Sequence, residues 1–313
     1  MSSSSWFLSP NGRKFAKGAA VVVSCGLFSA QFFPHTILLE HYYKLVAMRR
    51  LDEPVPLTSH LQKLWNQVLD DLDVSPFHRT ILRPFMVFGY EPWHAGSLRS
   101  RFGAMIGIPT NFVYDNVSSI DKDAIVVNNE PVEWFRPDAK QLLESLVLSD
   151  DAKKYAIGRE IIMTDNKFIY TEAIAVTGIA AAYYASTFKA NEILGLLKKP
   201  RSLRFFVYSV IGAFYWGLWA MQRDVLTRHF EYVSDKKLSE LNENYVKGGL
   251  EFYSKTLQRN MALRSLLGDK GNKVYTLKGN ESSFFREKHI PNTQRKYFFE
   301  DLCKKLESNV ENL

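Results

Sequence analysis

The sequence has little cysteine, with only Cys25 and Cys303 in a chain of 313 residues. Cys25 lies in an apolar N-terminal run and Cys303 lies near the C-terminus, which excludes a disulfide framework as the organising device of the fold. The chain also has no Cys-x-x-Cys pair and no closely spaced group of cysteine and histidine. This argues against a structural zinc site, and against copper carried by the chain itself.

The sequence also lacks a long block of basic residues, although the net charge is +7. Lysines and arginines are spread along the chain and interleaved with acids. No motif typical of nucleic-acid recognition is present. We therefore do not expect nucleic acid among the partners.

Acidic residues are absent from the first 39 positions, and the first acid is Glu40. Residues 1–17 are rich in serine and contain Arg13, Lys14 and Lys17, a composition typical of a mitochondrial targeting segment. An apolar run at residues 18–33 follows directly. A secretory signal peptide would also have a basic start, but residues 31–35 (QFFPH) are a poor small-residue cleavage site. We predict a transmembrane anchor that is retained.

Two further apolar runs, at residues 168–188 and 205–221, are separated by a basic loop. The first carries a single charge, Glu172, and the second carries none. Each approaches the length that a helix needs to cross a bilayer, and both contain small and aromatic residues typical of membrane helices. The alternative is a pair of buried core helices, but a soluble helix normally has a polar stripe and the second run has none. We predict a transmembrane hairpin at residues 168–221.

The basic loop at residues 189–204 predicts which side of the membrane each part occupies. It contains five basic residues and one acid, which places it on the cytosolic or matrix side by the positive-inside rule. Residues 34–167 and 222–313 then share the opposite side, because the hairpin returns the chain. We expect these two parts to pack together as one body.

The parts outside the membrane predict a mixed, mainly helical α+β fold. Strand patterns occur at residues 104–114 and in a hairpin at 124–135, whose turn lies near 128–131. Predicted helices begin at a cap on Thr58 or Ser59, after Pro137 and at a cap on Ser149. In the C-terminal part we predict a helix at 223–245, a break at Gly248-Gly249, a helix at 250–267, a turn-rich segment at 268–280 and a short helix at 297–306.

One constellation of residues, on the two sides of the hairpin, is similar to an active site. Membrane zinc peptidases of the HtpX and prenyl-protease type have Gly-His-Glu-x-x-His before a membrane hairpin and Glu-x-x-x-Asp after it. In those enzymes the histidines and the later glutamate hold zinc, and the first glutamate acts as general base. The matching positions here are listed in chain order: Arg159, Glu160, Met163, Glu231, Asp235.

The departures from that motif decide how the constellation is interpreted. Arg159 and Met163 stand at the two histidine positions; arginine has no lone pair to donate, and a thioether is a weak ligand for zinc. The sequence therefore predicts a peptidase-like scaffold without its metal, in which Arg159 pairs with Glu231. The alternatives are that the two glutamates are ordinary surface carboxylates, or that the chain is an active metallopeptidase with a variant site.

Glu172 is the one charge inside the hairpin runs. An intramembrane carboxylate is a candidate functional residue, for example in a channel or carrier pathway. It also lies close enough to the start of its run to sit at the membrane interface.

Several runs of the sequence resemble the mitochondrial transmembrane protein 177 family. The most specific is residues 248–268 (GGLEFYSKTLQRNMALRSLLG), followed by 273–280 (KVYTLKGN) and, more loosely, 285–291 (FREKHIP). Shorter matches are 106–112 (IGIPTNF), 132–134 (VEW) and Arg159-Glu160. Together with the anchor and the hairpin, these runs span nearly the whole chain.

The resemblance implies a multi-pass protein of the mitochondrial inner membrane that is not an enzyme and needs no cofactor. It implies an accessory role in cytochrome c oxidase assembly, with subunit II, its membrane chaperone and copper-delivery proteins as partners. The hairpin, in contact with the lipid bilayer, and the helix at 250–267 are the expected docking surfaces. The candidate contact residues on that helix are Phe252, Tyr253, Leu257 and Arg264; for the first three, the alternative is a place in the core.

Overall fold

The computed structural model describes residues 6–123, 125–128, 130–283 and 286–311. It divides into two compact units. The membrane unit consists of Met1–Leu39 and Lys167–Thr227, and the mixed unit consists of Glu40–Asn166 and Arg228–Leu313. Parts of three predicted segments fall outside the described residues: the first five residues, Ala124 and Asn129 in the predicted hairpin, and Phe285.

The membrane unit is built from long apolar helices. Helix α1 (Pro10–Phe32) is capped by Ser9, whose hydroxyl accepts a hydrogen bond from the Gly12 amide at 3.1 Å. Pro10 occupies the first turn of the helix. It therefore starts before the apolar run predicted at 18–33. Helix α7 (Phe168–Leu194) packs along α1 and ends at Gly195, which has a left-handed backbone. Helix α8 (Arg201–Ser239) then continues from the membrane unit into the mixed unit.

Three helices in the described part of the chain are long and apolar enough to cross a bilayer. They are Pro10–His35, Phe168–Leu194 and Arg201–Ser239. In each helix, at most 17% of the 18-residue apolar stretch is buried within the protein, so that most of this apolar surface faces outwards. Such helices require a lipid environment. The prediction of a mainly helical α+β membrane protein is confirmed.

The mixed unit begins with short elements that lead to a three-stranded sheet. In chain order they are α2 (Leu39–Val46), β1 (Arg49–Arg50), β2 (Glu53–Pro54), α3 (Ser59–Asp71), α4 (Pro76–Ile81), β3 (Leu82–Val87), β4 (Trp93–Ser97) and β5 (Gly103–Pro109). The sheet order is β3-β5-β4, with β3 parallel and β4 antiparallel to β5. All seven residues of β5 are buried, as expected for a central strand.

Helices form the rest of the mixed unit. A two-residue ladder, β6 (Val126–Val127) with β7 (Glu130–Pro131), precedes α5 (Pro137–Leu146) and α6 (Asp150–Thr164). After α8 come α9 (Glu243–Leu266), α10 (Asp269–Val274) and α11 (Asn292–Glu311). Helix α9 packs against α5, α6 and α11. The largest side chains of this core are fully buried, among them Tyr155, Tyr245, Tyr253 and Phe299.

The predicted helix break at Gly248-Gly249 is wrong, because α9 runs through both residues. A Cβ on Gly248 would lie 2.3 Å from the Asp151 carbonyl oxygen, and one on Gly249 would lie 2.7 Å from the Phe299 ring. The two glycines are therefore the places where α9 comes closest to α6 and α11. The final helix is also longer than the predicted 297–306, and α10 lies within the segment predicted to be turns.

Candidate functional site

Nine side chains of the mixed unit form a connected cluster, which we call the polar network. Its members are His94, Tyr155, Arg159, Glu160, Glu231, Asp235, Tyr253, His289 and Arg295. They come from β4, α6, the end of α8, α9, the segment before α11 and α11 itself. Four of the five residues of the peptidase-like constellation are members.

Helical spacing places the network residues on common faces. Tyr155 and Arg159 are four residues apart on α6, and Glu231 and Asp235 are four residues apart on α8, so that each pair lies one above the other. Met163 follows one turn after Arg159 on α6 and is partly buried.

Glu160 is the centre of the first half of the network. Arg159 donates from Nε to Glu160 Oε1 at 2.8 Å and from Nη2 to the same oxygen at 2.5 Å. His94 Nδ1 lies 2.6 Å from the other oxygen, Oε2. The expected pair of Arg159 with Glu231 is therefore replaced by a pair with the adjacent residue.

Asp235 is the centre of the second half. Arg295 binds it with two parallel hydrogen bonds, Nε to Oδ2 at 2.7 Å and Nη2 to Oδ1 at 2.6 Å. Tyr155 donates its hydroxyl to Oδ1 at 2.6 Å, and the Arg295 guanidinium lies 4.6 Å from the centre of the Tyr253 ring. Two-pronged arginine–carboxylate pairs are among the strongest polar contacts in proteins.

Glu231 has different partners from those predicted. His289 Nδ1 lies 2.7 Å from Oε1, and the Ile290 amide donates to Oε2 at 2.9 Å. Arg295 is also near, with Nη1 3.9 Å from Oε1. The segment that precedes α11 is thereby fixed onto the end of α8.

Tyr253 connects the two halves. Its hydroxyl oxygen lies 3.0 Å from that of Tyr155 and accepts from Arg159 Nη1 at 3.4 Å. Arg159 also stacks over the Phe252 ring, 5.3 Å from its centre. The guanidinium of Arg159 thus has an acceptor on one side and an aromatic face on the other.

The network shifts the titration of its members. Burial alone would raise the pKa of Glu160, but the Arg159 charge and the hydrogen bond with His94 outweigh it and lower the pKa to about 2. Burial raises the pKa of the Tyr155 and Tyr253 hydroxyls, which keeps them protonated. The hydrogen bond with Glu231 raises the pKa of His289.

The chemistry available to this arrangement follows from which lone pairs are occupied. Arginines, histidines and Tyr155 engage the three carboxylates, so that each carboxylate accepts from at least two donors. Among the residues that the structure describes, no group of three or more histidine, cysteine, aspartate or glutamate side chains is arranged to hold a metal ion. Four of the residues at the peptidase-like positions are linked to neighbouring elements by hydrogen bonds, through His94, Tyr253, His289 and Arg295.

The proposed contact residues on α9 lie in the core instead of on a surface. Phe252, Tyr253 and Leu257 have exposed fractions of 6%, 0% and 6%. Arg264 is partly buried and donates from Nε to the Tyr275 carbonyl at 3.1 Å. In this fold the first three side chains are not accessible to a partner.

Glu172 belongs to the membrane unit and is fully buried on α7. The nearest cation is Arg223 on α8, whose Nε lies 3.9 Å from Oε2. Within the described residues, neither carboxylate oxygen has a hydrogen bond of good geometry. Glu172 therefore faces the interior of the unit.

The sequence did not point to four members of the network: His94, Tyr155, His289 and Arg295. The sequence offered one signal for them, which is that His289 falls in the matched run at 285–291. The pairings themselves could not be inferred, because the residues that pair are far apart in the chain. His94 and Glu160 are separated by 66 residues and Arg295 and Asp235 by 60.

The fold and the network together define a mainly helical α+β membrane protein in which four of the five peptidase-like positions belong to the polar network. The family model described as "Transmembrane protein 177" matches residues 89–286. The protein of that name from Rattus norvegicus is 34% identical over 285 residues, which are 88% of this chain and 89% of the rat protein. The Homo sapiens protein is 36% identical over 248 residues, 78% of each chain.

A more distant relative, "Transmembrane protein 177" from Xenopus laevis, is 29% identical over 289 residues, 91% of this chain and 92% of the frog protein. No solved structure gives a significant match. The chain belongs to the transmembrane protein 177 family.

Proposed function

We propose that this protein is a non-enzymatic accessory factor of the mitochondrial inner membrane that supports cytochrome c oxidase assembly by binding subunit II and its membrane chaperone. Membership of the transmembrane protein 177 family is the observation that carries the proposal. The serine-rich, basic and acid-free N-terminus supports the mitochondrial location.

The polar network supports a binding role over catalysis. Arg159 and Met163 stand where a zinc peptidase has histidines, and the neighbouring carboxylates are engaged by arginines. A buried set of matched charges positions helices without offering a reactive group. The alternative of a metallopeptidase with a variant site gains no support from these contacts.

Of the two docking surfaces expected from the sequence, the hairpin is the one that the proposal keeps. The side chains of α9 named as contacts are buried, whereas α8 exposes Phe205, Phe206, Phe214 and Trp216, each by more than 60%. An apolar helix face of this kind suits the membrane part of a newly made, membrane-inserted subunit.

The test is photo-crosslinking in mitochondria followed by affinity purification. A photoreactive residue at Phe214, which is 61% exposed, is expected to form an adduct with subunit II or its chaperone. The same residue at Leu257, which is 6% exposed, serves as the control and is expected to form none. The proposal fails if neither subunit II nor the chaperone co-purifies with the wild-type protein, either directly or in a complex with copper-delivery proteins.

A further inference from the structure

The membrane unit contains a groove of about 1020 Å³ between α1, α7 and α8. Its middle is lined by small residues, including Ala16, Ala19, Ala20, Ala180 and Gly212. Two hydrogen bonds hold α8 beside α7: Ser186 Oγ to Tyr215 Oη at 2.8 Å, and Tyr208 Oη to Asn191 Oδ1 at 2.8 Å. Small residues from all three helices line the space beside these bridges.

One end of the groove is cationic. Arg13 near the start of α1 and Arg204 near the start of α8 both line it, together with Asn191 and Glu192 at the end of α7. Glu192 is paired with Lys189 at 2.8 Å. Within the described residues no ion pair joins Arg13 or Arg204 to a carboxylate, although the charge of Arg13 also acts on Glu192 at longer range. The two arginines therefore leave this end of the groove with more positive than negative charge.

We propose that this groove binds an anionic phospholipid, with acyl chains along the alanine-lined middle and the phosphate at Arg13 and Arg204. A basic pocket between membrane helices is the arrangement that recognises acidic headgroups. The guanidinium fork matches the oxygens of a phosphate, and a largely apolar lining suits hydrocarbon.

The charge of the lining favours a lipid over an apolar protein helix as the occupant. An apolar transmembrane helix supplies no anion for the two arginines, whereas a phospholipid supplies both an apolar body and an anionic headgroup.

The test measures lipid binding to the purified, delipidated full-length protein in detergent by native mass spectrometry. Phosphatidylglycerol and phosphatidylcholine with identical acyl chains are titrated separately. Both lipids carry a phosphate, but the trimethylammonium group of phosphatidylcholine cancels its charge. The net negative charge of phosphatidylglycerol beside two arginines therefore predicts a preference of about tenfold or more. Detergent removes the bilayer surface, so that general attraction to an anionic membrane does not contribute.

Matched variants separate the groove from the rest of the unit. The double substitution Arg13→Gln with Arg204→Gln is expected to abolish the preference. Lys198→Gln with Lys199→Gln removes the same charge from residues that do not line the groove, and is expected to keep it. In the same way, Ala180→Leu inside the groove reduces binding of both lipids, whereas Ala181→Leu, on the exposed side of α7, leaves it unchanged.

Equal binding of the two lipids by the wild-type protein would overturn the proposal, as would loss of the preference in the Lys198 and Lys199 variant. A photoreactive residue at position 180 gives an independent result. A lipid adduct supports the proposal, whereas an adduct with a second copy or another protein identifies a helix as the occupant and rejects it.

Discussion

The polar network places three carboxylates and Arg295 in buried positions, whereas Arg159 and His94 are partly buried and the His289 side chain is 57% exposed. Each buried charge is costly unless its partners are complete, and removing one partner leaves the other uncompensated. The carboxylates of Glu160, Glu231 and Asp235 each have at least two donors. Such a network fixes the relative positions of α6, α8 and α11 more than it adds net stability.

Glu160 makes the stability of the protein depend on pH in the acid range. Its pKa is about 2 in the folded protein and 4.5 when unperturbed. A carboxyl with a lowered pKa contributes stability that is complete above the unfolded pKa and is lost as pH falls through the folded pKa. We expect about 3 kcal/mol of stability to be lost between pH 4.5 and pH 2, measured by denaturant unfolding in detergent.

The control for this measurement is a pair of glutamine substitutions. Glu160→Gln should lower stability at pH 7 and flatten the acid dependence, because the titrating group is gone. Glu240→Gln removes a carboxylate that is 64% exposed in its pair with Lys236, and should keep the wild-type profile. Equal acid dependence in the wild type and Glu160→Gln would contradict the assignment to Glu160.

The chemistry of single residues was more predictable than their pairings. The identities of Arg159 and Met163 indicated from the sequence that a standard zinc site is incomplete. The partner of Arg159 was not predictable, because both glutamates were compatible with the spacing. In the structure, the Glu231 carboxylate is instead bound by His289 and the Ile290 amide.

Gly248 shows how a helix can depend on a residue that normally disfavours helices. Alanine is about 1 kcal/mol better than glycine inside a helix, so propensity alone predicts that Gly248→Ala stabilises α9. The added Cβ would instead lie 2.3 Å from the Asp151 carbonyl oxygen of α6. This oxygen belongs to the backbone, so the clash cannot be relieved by a change of side-chain rotamer. We expect a loss of roughly 2 kcal/mol or more in unfolding free energy.

Two other glycines provide comparisons for that variant. Gly249→Ala would meet the ring of Phe299, a side chain that can shift, and should cost less than Gly248→Ala. Gly178→Ala on α7 has open space around its Cβ and should be neutral or stabilising. If Gly248→Ala were as stable as Gly178→Ala, the close approach of α6 and α9 would be refuted.

The same glycines explain why one helix boundary was mispredicted. A Gly-Gly pair is a standard breaking signal when only local sequence is considered. The residue that makes glycine necessary, Asp151, lies almost a hundred positions earlier, on another helix. Elements with strong local patterns, such as the apolar hairpin and the helix after Thr58, were predictable because their evidence is contained within them.

The mixed unit as a whole determines how often the chain crosses the membrane. Its two segments, Glu40–Asn166 and Arg228–Leu313, share one core in which α9 packs against α5 and α6. A shared core cannot be divided by a bilayer, so the chain between the segments must cross an even number of times. Helices α7 and α8 are candidate spans, and we expect them to supply two crossings with the loop between them on the other side.

Cysteine accessibility tests this topology in sealed membrane vesicles that contain the protein. In a Cys25→Ser, Cys303→Ser background, single cysteines replace three exposed residues: Lys63, Ser202 and Lys305. An impermeant maleimide added from one side should label positions 63 and 305 together and leave 202 unlabelled, and the pattern should reverse from the other side. After permeabilisation all three should react. Labelling of 202 together with 63 would show that the hairpin lies on the membrane surface, because neither α7 nor α8 would then separate the loop from the mixed unit.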